Sequence, residues 1–475
     1  MATIVQPKNR DTQSNPLNRL LANVYTLNWE VIAYLIIFVL AVFTRFHMLG
    51  DRVMSHDESL HTRYSYNLFA DGDFQHTPLM HGPILFHITA LMYFLFGDND
   101  FTARIYPAVL GILITLSPII FKRWLGQKGA LLTSVLLLVS PLLMYYNRYI
   151  REDTPSLFSV VVMVYCIFVY LSGPENQRRR ARWLYIFAAA LLHNLGTKET
   201  AFFYVAIFGS FLTLFWLARL AQHYRNAPGK TIFFFTTIGI LIGAVAALGM
   251  YVILSIVPPE TAEAAGIGSL ELSVFVNWTL VWIVAVLAMI IGPLLWSFRR
   301  VMNRIKWTDV ILVILIALVA CAGLIVIEEL SREVPNPEAT AEQVAPGDEA
   351  VAATTTISML PIAAEWVVGV IIVLLVLASW RIGLWNELNR FPEFDFLILM
   401  GTLVLPWLTA IILVMTGASP TDYSQEGITR ALLAFTPLMA ISVTVGLVWN
   451  WKRWLISATI FYALFTFFFT TMFTN

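Results

Sequence analysis

Long apolar runs separated by short polar knots make up most of this chain. Most of the runs are about 18 to 24 residues long, the length at which a helix crosses the hydrocarbon core of a bilayer. They predict spans at about 29–49, 101–121, 129–146, 155–172, 184–198, 201–218, 232–257, 274–297, 308–327, 362–380, 396–415, 431–449 and 453–473. One further apolar segment, Ile84 to Phe96, has only about 13 residues and carries His87, which suits an interfacial or re-entrant helix better than a span. His81-Gly82-Pro83 in front of it reads as a hinge, with proline at a first-turn position. No internal repeat is visible, so the inverted-repeat plan of many secondary transporters finds no support. The expected fold class is all-α, a polytopic membrane protein.

Charge gives these spans a direction. Suppose that 84–96 does not cross and that the N-terminus is cytoplasmic. The inner connections then hold about 21 of the 30 basic residues, including Lys122, Arg123, Lys128 and the Arg178-Arg179-Arg180-x-Arg182 cluster, as the positive-inside rule requires. About 23 of the 30 acidic residues fall outside. If 84–96 crossed, every later loop would invert and the arginine cluster would face out. About thirteen spans follow, N-terminus in and C-terminus out. Residues 1–28 read as a cytoplasmic tail, because the run after them is too long for a cleaved signal peptide, and 29–475 as a single transmembrane domain. Within it, 50–100 forms a first outer loop with an interfacial helix, and 328–361 an acidic, flexible outer loop.

Composition agrees: 58% of residues are hydrophobic, mean hydropathy is +0.73, and only 13% are charged, where a soluble domain carries roughly a quarter. The zero formal net charge does not point to a partner, and no nucleic acid is expected. Cys166 and Cys321 both lie inside apolar runs, which leaves neither a disulfide framework nor metal-ligand spacing.

Two polar knots on the outer side carry the candidate chemistry. His56-Asp57-Glu58-Ser59-Leu60-His61 follows the first span. It could be an ordinary solvated loop. Its place at an apolar boundary, among Arg63, Tyr64, His76 and His81, could instead raise a carboxylate's pKa toward that of a general base. The second knot is a loop of about eight residues between two spans, which needs no charge to close and yet holds Arg148, Arg151, Glu152 and Asp153. These could pair among themselves. Alternatively the arginines form a phosphate site, since guanidinium binds phosphate bidentately, beside a carboxylate that orients an acceptor. Lys198 could meet an anion or pair with Glu199. Arg430 begins a late span and could snorkel or join the site. The histidines of the first loop, with carboxylates as co-ligands, could hold a metal ion, although none has the spacing of a helical zinc motif. No metal site is therefore assigned, and assistance by a divalent cation is left open.

In this order the motifs resemble the GT-C class of integral membrane glycosyltransferases. They are most similar to the group of dolichyl-phosphate-mannose–protein mannosyltransferases and lipid A aminoarabinose transferases. The resemblance runs through Asp57-Glu58, a juxtamembrane helix, Phe96-Gly97, Arg104, Lys122-Arg123-Trp124, Arg148-x-x-Arg151-x-Asp153 and the Lys198 turn. His56-Asp57-Glu58-Ser59-x-His61 and Pro78-x-x-His81-Gly82-Pro83 resemble a narrower subfamily, the flippase-activity-associated proteins of archaeal N-glycosylation clusters. The likeness is specific over about 40–200 and topological beyond.

The resemblance implies a polyprenyl-phosphate-linked sugar as donor and transfer with inversion on the outer membrane face. It implies Asp57 as catalytic base, with Glu58 and Asp153 beside it. Arg148, Arg151 and Lys198 would lie near the lipid phosphate, and His56, His61, His81, Glu152 and Arg430 around the substrate. The acceptor, whether glycan, lipid or protein, stays open, because the large folded outer domain of the protein mannosyltransferases has no counterpart here. Two rivals remain. A flippase accessory would bind the same head group without chemistry, and a proton-coupled transporter would need midplane carboxylates that the spans lack. Geometry can decide: Asp57 must lie within about 12 Å of the basic residues, room for one sugar plus contacts of about 3 Å at either end.

Overall fold

The computed structural model describes residues 29–72, 81–172, 181–224, 366, 369–370, 372–374, 376–377, 380–381, 384–415 and 418–470. Among the described residues the regular elements are helices, with no strand. The expected tail at 1–28, the spans at 232–257, 274–297 and 308–327, much of 362–380, the acidic loop at 328–361, His76 and Pro78 lie outside them. The chain divides into two compact units. One comprises Met1–Tyr165, Ala190–Ala201 and Leu464–Asn475, the other Cys166–Ala189 and Phe202–Ala463.

The first unit is built on α1 (Trp29–Phe46). Its residues Tyr34, Ile37 and Ala41 recur at helical spacing and pack with Ile112 and Leu138, while Val31, Leu35, Phe38 and Val39 stay exposed as a lipid-facing surface would be. Both ends of α1 are tied down. Glu30 accepts from Lys122 Nζ at 2.6 Å and from Gln127 at 2.5 Å. At the other end the buried Arg45 donates to the carbonyls of Leu137 and Leu138 and to Thr115, each at 3.2 Å.

Beyond α1 the segment expected as the first outer loop folds into two helices, α2 (His56–Asp71) and α3 (Ile84–Phe96). They pack through Phe86 on Leu68 and through a cluster of Leu85 and Tyr93 with Phe69. The apolar 84–96 segment is thus a 13-residue helix with Pro83 at its start, at the expected bounds. α2 is polar and was not evident from periodicity. Its start is a reciprocal cap, Ser55 Oγ accepting from Glu58 N while the Glu58 side chain accepts from Ser55 N, and Gly72 closes it in the left-handed conformation at φ 68°.

After the short α4 (Asp100–Ala103), α5 (Ile105–Leu116) runs into a 3-10 turn at Ser117–Ile119, and α6 (Lys122–Val139) leaves it bent by 117°. That reversal falls at the Lys122–Lys128 turn expected on the inner side. The expected span at 129–146 is broken into α6 and α7 (Pro141–Tyr146), since Pro141 has no N–H to give the preceding turn. α8 (Asp153–Ser172), α9 (Ala181–Leu195) and α10 (Ala201–Tyr224) follow.

The second unit contains the end of α8, the first part of α9, most of α10, and the later helices. These are α11 (Leu384–Leu388), α12 (Glu393–Val404), α13 (Thr409–Met415) and most of α14 (Gln425–Phe469). α14 is two helices joined across a non-helical Asn450, between the expected spans 431–449 and 453–473. A buried Asp395 in α12 accepts from Tyr170 at 2.5 Å and Trp449 at 2.9 Å, and Glu393 from Arg219 at 2.6 Å. Among the described residues five helices are long and apolar enough to cross a bilayer, or six with the bent pair counted as one. The protein is a multi-pass membrane protein.

Candidate active site

The cap at Ser55 sets the register of α2, and that register separates two adjacent carboxylates. Asp57 lies on the open side, its side chain 47% exposed. Glu58, roughly 100° further round the helix axis, is buried. There Arg104 grips it bidentately, Nε to Oε1 at 2.9 Å and Nη2 to Oε2 at 3.1 Å. Arg52 adds a contact at 2.8 Å, and the backbone N–H groups of Ser55 and Ile150 donate at 3.2 and 3.3 Å. Burial alone would raise the Glu58 pKa; the hydrogen bond from Arg104, the Ser55 N–H and the charges of Arg104 and Arg52 outweigh it and hold the carboxyl below its usual range. The expected upward shift toward a general base is therefore reversed at Glu58, because its boundary site is lined with cations.

The second knot folds over this hub. Arg148 donates to the carbonyls of Thr44, His47 and Met48 at 2.7–3.2 Å, capping the end of α1. Tyr149 OH meets Ser55 Oγ at 2.5 Å, and the Arg52 guanidinium lies 5.1 Å above the Tyr149 ring. Beyond Ile150, the three residues Arg151, Glu152 and Asp153 alternate in direction. Arg151 turns outward, Nη1 3.2 Å from Asp57 and Nε 3.4 Å from Asp153. Glu152 turns inward to His61, Oε1 to Nε2 at 3.2 Å. Asp153, opening α8, holds Lys198 Nζ at 2.6 Å. Asp57, Arg151, Asp153 and Lys198 thus form one row of alternating charge across three connecting segments.

The third segment is fixed by backbone. Gly82 N donates to Thr197 O at 3.1 Å and Ile84 N to Gly196 O at 3.2 Å. A Cβ on Gly82 would collide with the Gly196 carbonyl, so only glycine admits this approach. His81, at φ 59°, reaches Glu199 at 2.8 Å. Beneath the Lys198 turn, Ser156 donates to Asn194 at 2.8 Å, and His193 is held by Ser159 at 2.6 Å and Tyr106 at 2.7 Å.

Of the residues singled out in the sequence, Asp57, Arg151, Asp153 and Lys198 meet directly, with His61 and Glu152 directly behind them. His81 stands at the edge on Glu199, and His56 is exposed on α2. Glu58 and Arg148 are held in the framework. Arg430 lies in the second unit, paired with Glu426 one turn before it. Among the described residues no three His, Cys, Asp or Glu side chains converge as metal ligands. Arg52, Tyr149, Ser156, Ser159 and His193 carry the geometry without having been singled out. The Ser55-x-x-Glu58 capping box is the sequence signal that could have found the hub.

Residues 80–242 match the family of dolichyl-phosphate-mannose-protein mannosyltransferases, under half of the chain. An uncharacterized protein of Aquifex aeolicus is 26% identical over 168 residues, a third of each chain. Among solved structures, ArnT from Cupriavidus metallidurans bound to undecaprenyl phosphate aligns at 16% identity over 88% of this chain and 77% of its own, with a TM-score of 0.34. The oligosaccharyltransferase of Archaeoglobus fulgidus, tethered to an acceptor peptide, aligns at 15% identity over 92% and 56%, with a TM-score of 0.36.

Proposed function

We propose that the chain is a GT-C-type membrane glycosyltransferase, with about thirteen spans, N-terminus in and C-terminus out, that moves a sugar from a polyprenyl-phosphate donor to an acceptor hydroxyl on the outer face, with inversion. One observation carries this reading: the row Asp57–Arg151–Asp153–Lys198, which sets a half-exposed carboxylate against two cations where helices of a membrane protein end. The similarity over 80–242 to mannosyltransferases supports the reaction class.

In this mechanism Asp57 accepts the proton of the acceptor hydroxyl as its oxygen attacks the anomeric carbon. The bond from that carbon to the phosphate oxygen breaks, and the electron pair leaves with the phosphate. Arg151 and Lys198 take up the negative charge that develops there. Both cations are paired with carboxylates in the free protein, so an incoming phosphate competes with Asp57 for Arg151. Donor binding thereby releases the carboxylate that the reaction needs as base. Glu58 and Arg148 are framework residues in this scheme, Asp153 orients the two cations, and Arg430 has no assigned step.

The test uses purified protein and polyprenyl-phosphate hexoses with a panel of acceptors. Asp57→Asn is expected to abolish transfer while binding the donor as tightly as wild type or more so. Absence of transfer by wild type across the panel, with donor binding retained, would favour a head-group-binding flippase accessory.

A further inference from the structure

α2 meets the second outer loop on two rungs. Asp57 and His61, four residues apart, share a helix face, and they stand against consecutive loop residues, Arg151 and Glu152, each at 3.2 Å. The two rungs differ in exposure. The outer one is open to solvent on both sides; in the inner one Glu152 is 0% exposed and the His61 side chain 9%. Phe86 of α3 closes the apolar side of the imidazole, ring centroids 5.5 Å apart. Neither carboxyl oxygen of Glu152 makes a directed hydrogen bond to another residue, and His61 Nδ1 has no hydrogen-bond partner. An ionised carboxylate in such a place, facing a neutral imidazole, leaves a charge uncompensated, and proteins avoid that by binding a proton.

We infer that His61 and Glu152 hold one proton between them, and that as positioning residues they keep Arg151 and Asp153, the neighbours of Glu152, turned toward Asp57 and Lys198. The positioning role rests on the transfer reading of the site; the shared proton does not. Burial, helped by the charge of Asp153 and opposed by its own backbone N–H, His81 and Lys198, raises the Glu152 carboxyl to about 7. Burial, with His81 and Arg151 acting the same way and Asp57 and Glu58 opposing, brings His61 down to about 4. These opposite displacements are those of a coupled pair that binds a single proton in the mildly acidic range.

The raised Glu152 contributes stability that falls as pH rises toward about 7, whereas the lowered His61 contributes stability that rises over much the same interval. In the unfolded chain the proton sits on imidazole, in the folded one on the pair, and the proton count barely changes. Overall stability is therefore a poor reporter, and the carboxyl itself must be observed.

Infrared difference spectra of the full chain in nanodiscs, taken from about pH 5 to about pH 8, are expected to show the carbonyl band of a buried protonated carboxyl. That band should vanish as pH rises through about 7 and be missing from Glu152→Gln. Undecaprenyl phosphate binding and sugar transfer are read in parallel. Glu152→Gln, whose neutral amide can still meet the imidazole, should stay within about threefold of wild type and lose the pH dependence, while Glu152→Ala should fall by about tenfold or more. A band unchanged in Glu152→Gln overturns the inference. So does a Glu152→Gln variant as impaired as Glu152→Ala, since a fixed negative charge would then be what matters. If wild type transfers no sugar but the Glu152-dependent band titrates, the transfer reading falls and the shared proton stands.

Discussion

Glu58 and Asp57 are chemically almost the same residue, and one helical step gives them different work. Glu58 neutralises a fully buried arginine, so Glu58→Gln leaves Arg104 without its counter-charge in a place water does not reach. Breaking a buried pair from one side costs about 3–5 kcal/mol. The apparent melting temperature in detergent should fall accordingly, and Glu58→Gln combined with Arg104→Gln should recover part of the loss. The pH dependence has a definite sign. Because the folded pKa is held below the ordinary carboxylate range, the stability from Glu58 is present above that range and is lost as pH falls through the depressed folded value. Acid should destabilise wild type more than Glu58→Gln. The two arginines of the second loop divide in a similar way. Arg148→Ala uncaps α1 and should cost about 1.5–3 kcal/mol of stability, with transfer per folded molecule nearly unchanged. Arg151→Ala removes a half-exposed pair worth at most about 1 kcal/mol, yet it should lower kcat by about 100-fold or more if it meets the leaving phosphate. Melting curves and single-turnover transfer on both variants separate the two roles.

At the scale of elements, the site depends on the two glycines that let the start of α3 touch the turn before α10. Gly82→Ala drives a methyl into the Gly196 carbonyl, which cannot give way without shifting Lys198. Transfer and undecaprenyl phosphate binding should both fall by about tenfold or more. Gly129→Ala is the control: its methyl meets only Leu125 Cβ at 3.6 Å inside α6, and removing a helical glycine should stabilise by about 0.5–1 kcal/mol. These elements also mark how far the sequence could be read. α3 was legible because an apolar run with proline at its start points to one structure. α2 was not, since its Leu60, Leu68 and Phe69 are too sparse to make a stripe, and only Ser55, Glu58 and Gly72 mark its ends. The 129–146 run looked continuous because hydropathy does not register the missing N–H of Pro141. The charged residues of the site were legible as a group, but their partners were not. Which carboxylate faces Arg104 and which faces Arg151 follows from helical register, and Arg148 is drawn away by carbonyls that no side-chain pattern reveals.

For the whole molecule the question is which side of the membrane carries the charged row, and it turns on whether α3 crosses. Thirteen residues rise only about 20 Å as a helix, short of a hydrocarbon core of about 30 Å. The helix is also pinned at its start to the Gly196–Thr197 turn and along its length to α2. A span would have to carry these contacts across the bilayer, whereas an interfacial helix keeps them in one plane. Single cysteines in a chain lacking Cys166 and Cys321 can decide this. Val53 is 85% exposed, Lys128 is exposed near the start of α6 after the 117° bend, and Tyr423 is 71% exposed before α14. With α3 in the interface, a membrane-impermeant maleimide added to intact cells should label Val53→Cys and Tyr423→Cys but reach Lys128→Cys only after permeabilisation. If α3 crosses, Val53→Cys and Lys128→Cys are both labelled and Tyr423→Cys is protected, which would separate Asp57 from Arg151 and Lys198 by a membrane. Because Asp57 and Arg151 stand 3.2 Å apart, the labelling pattern tests the charged row and the topology together, and the interfacial pattern is the expected result.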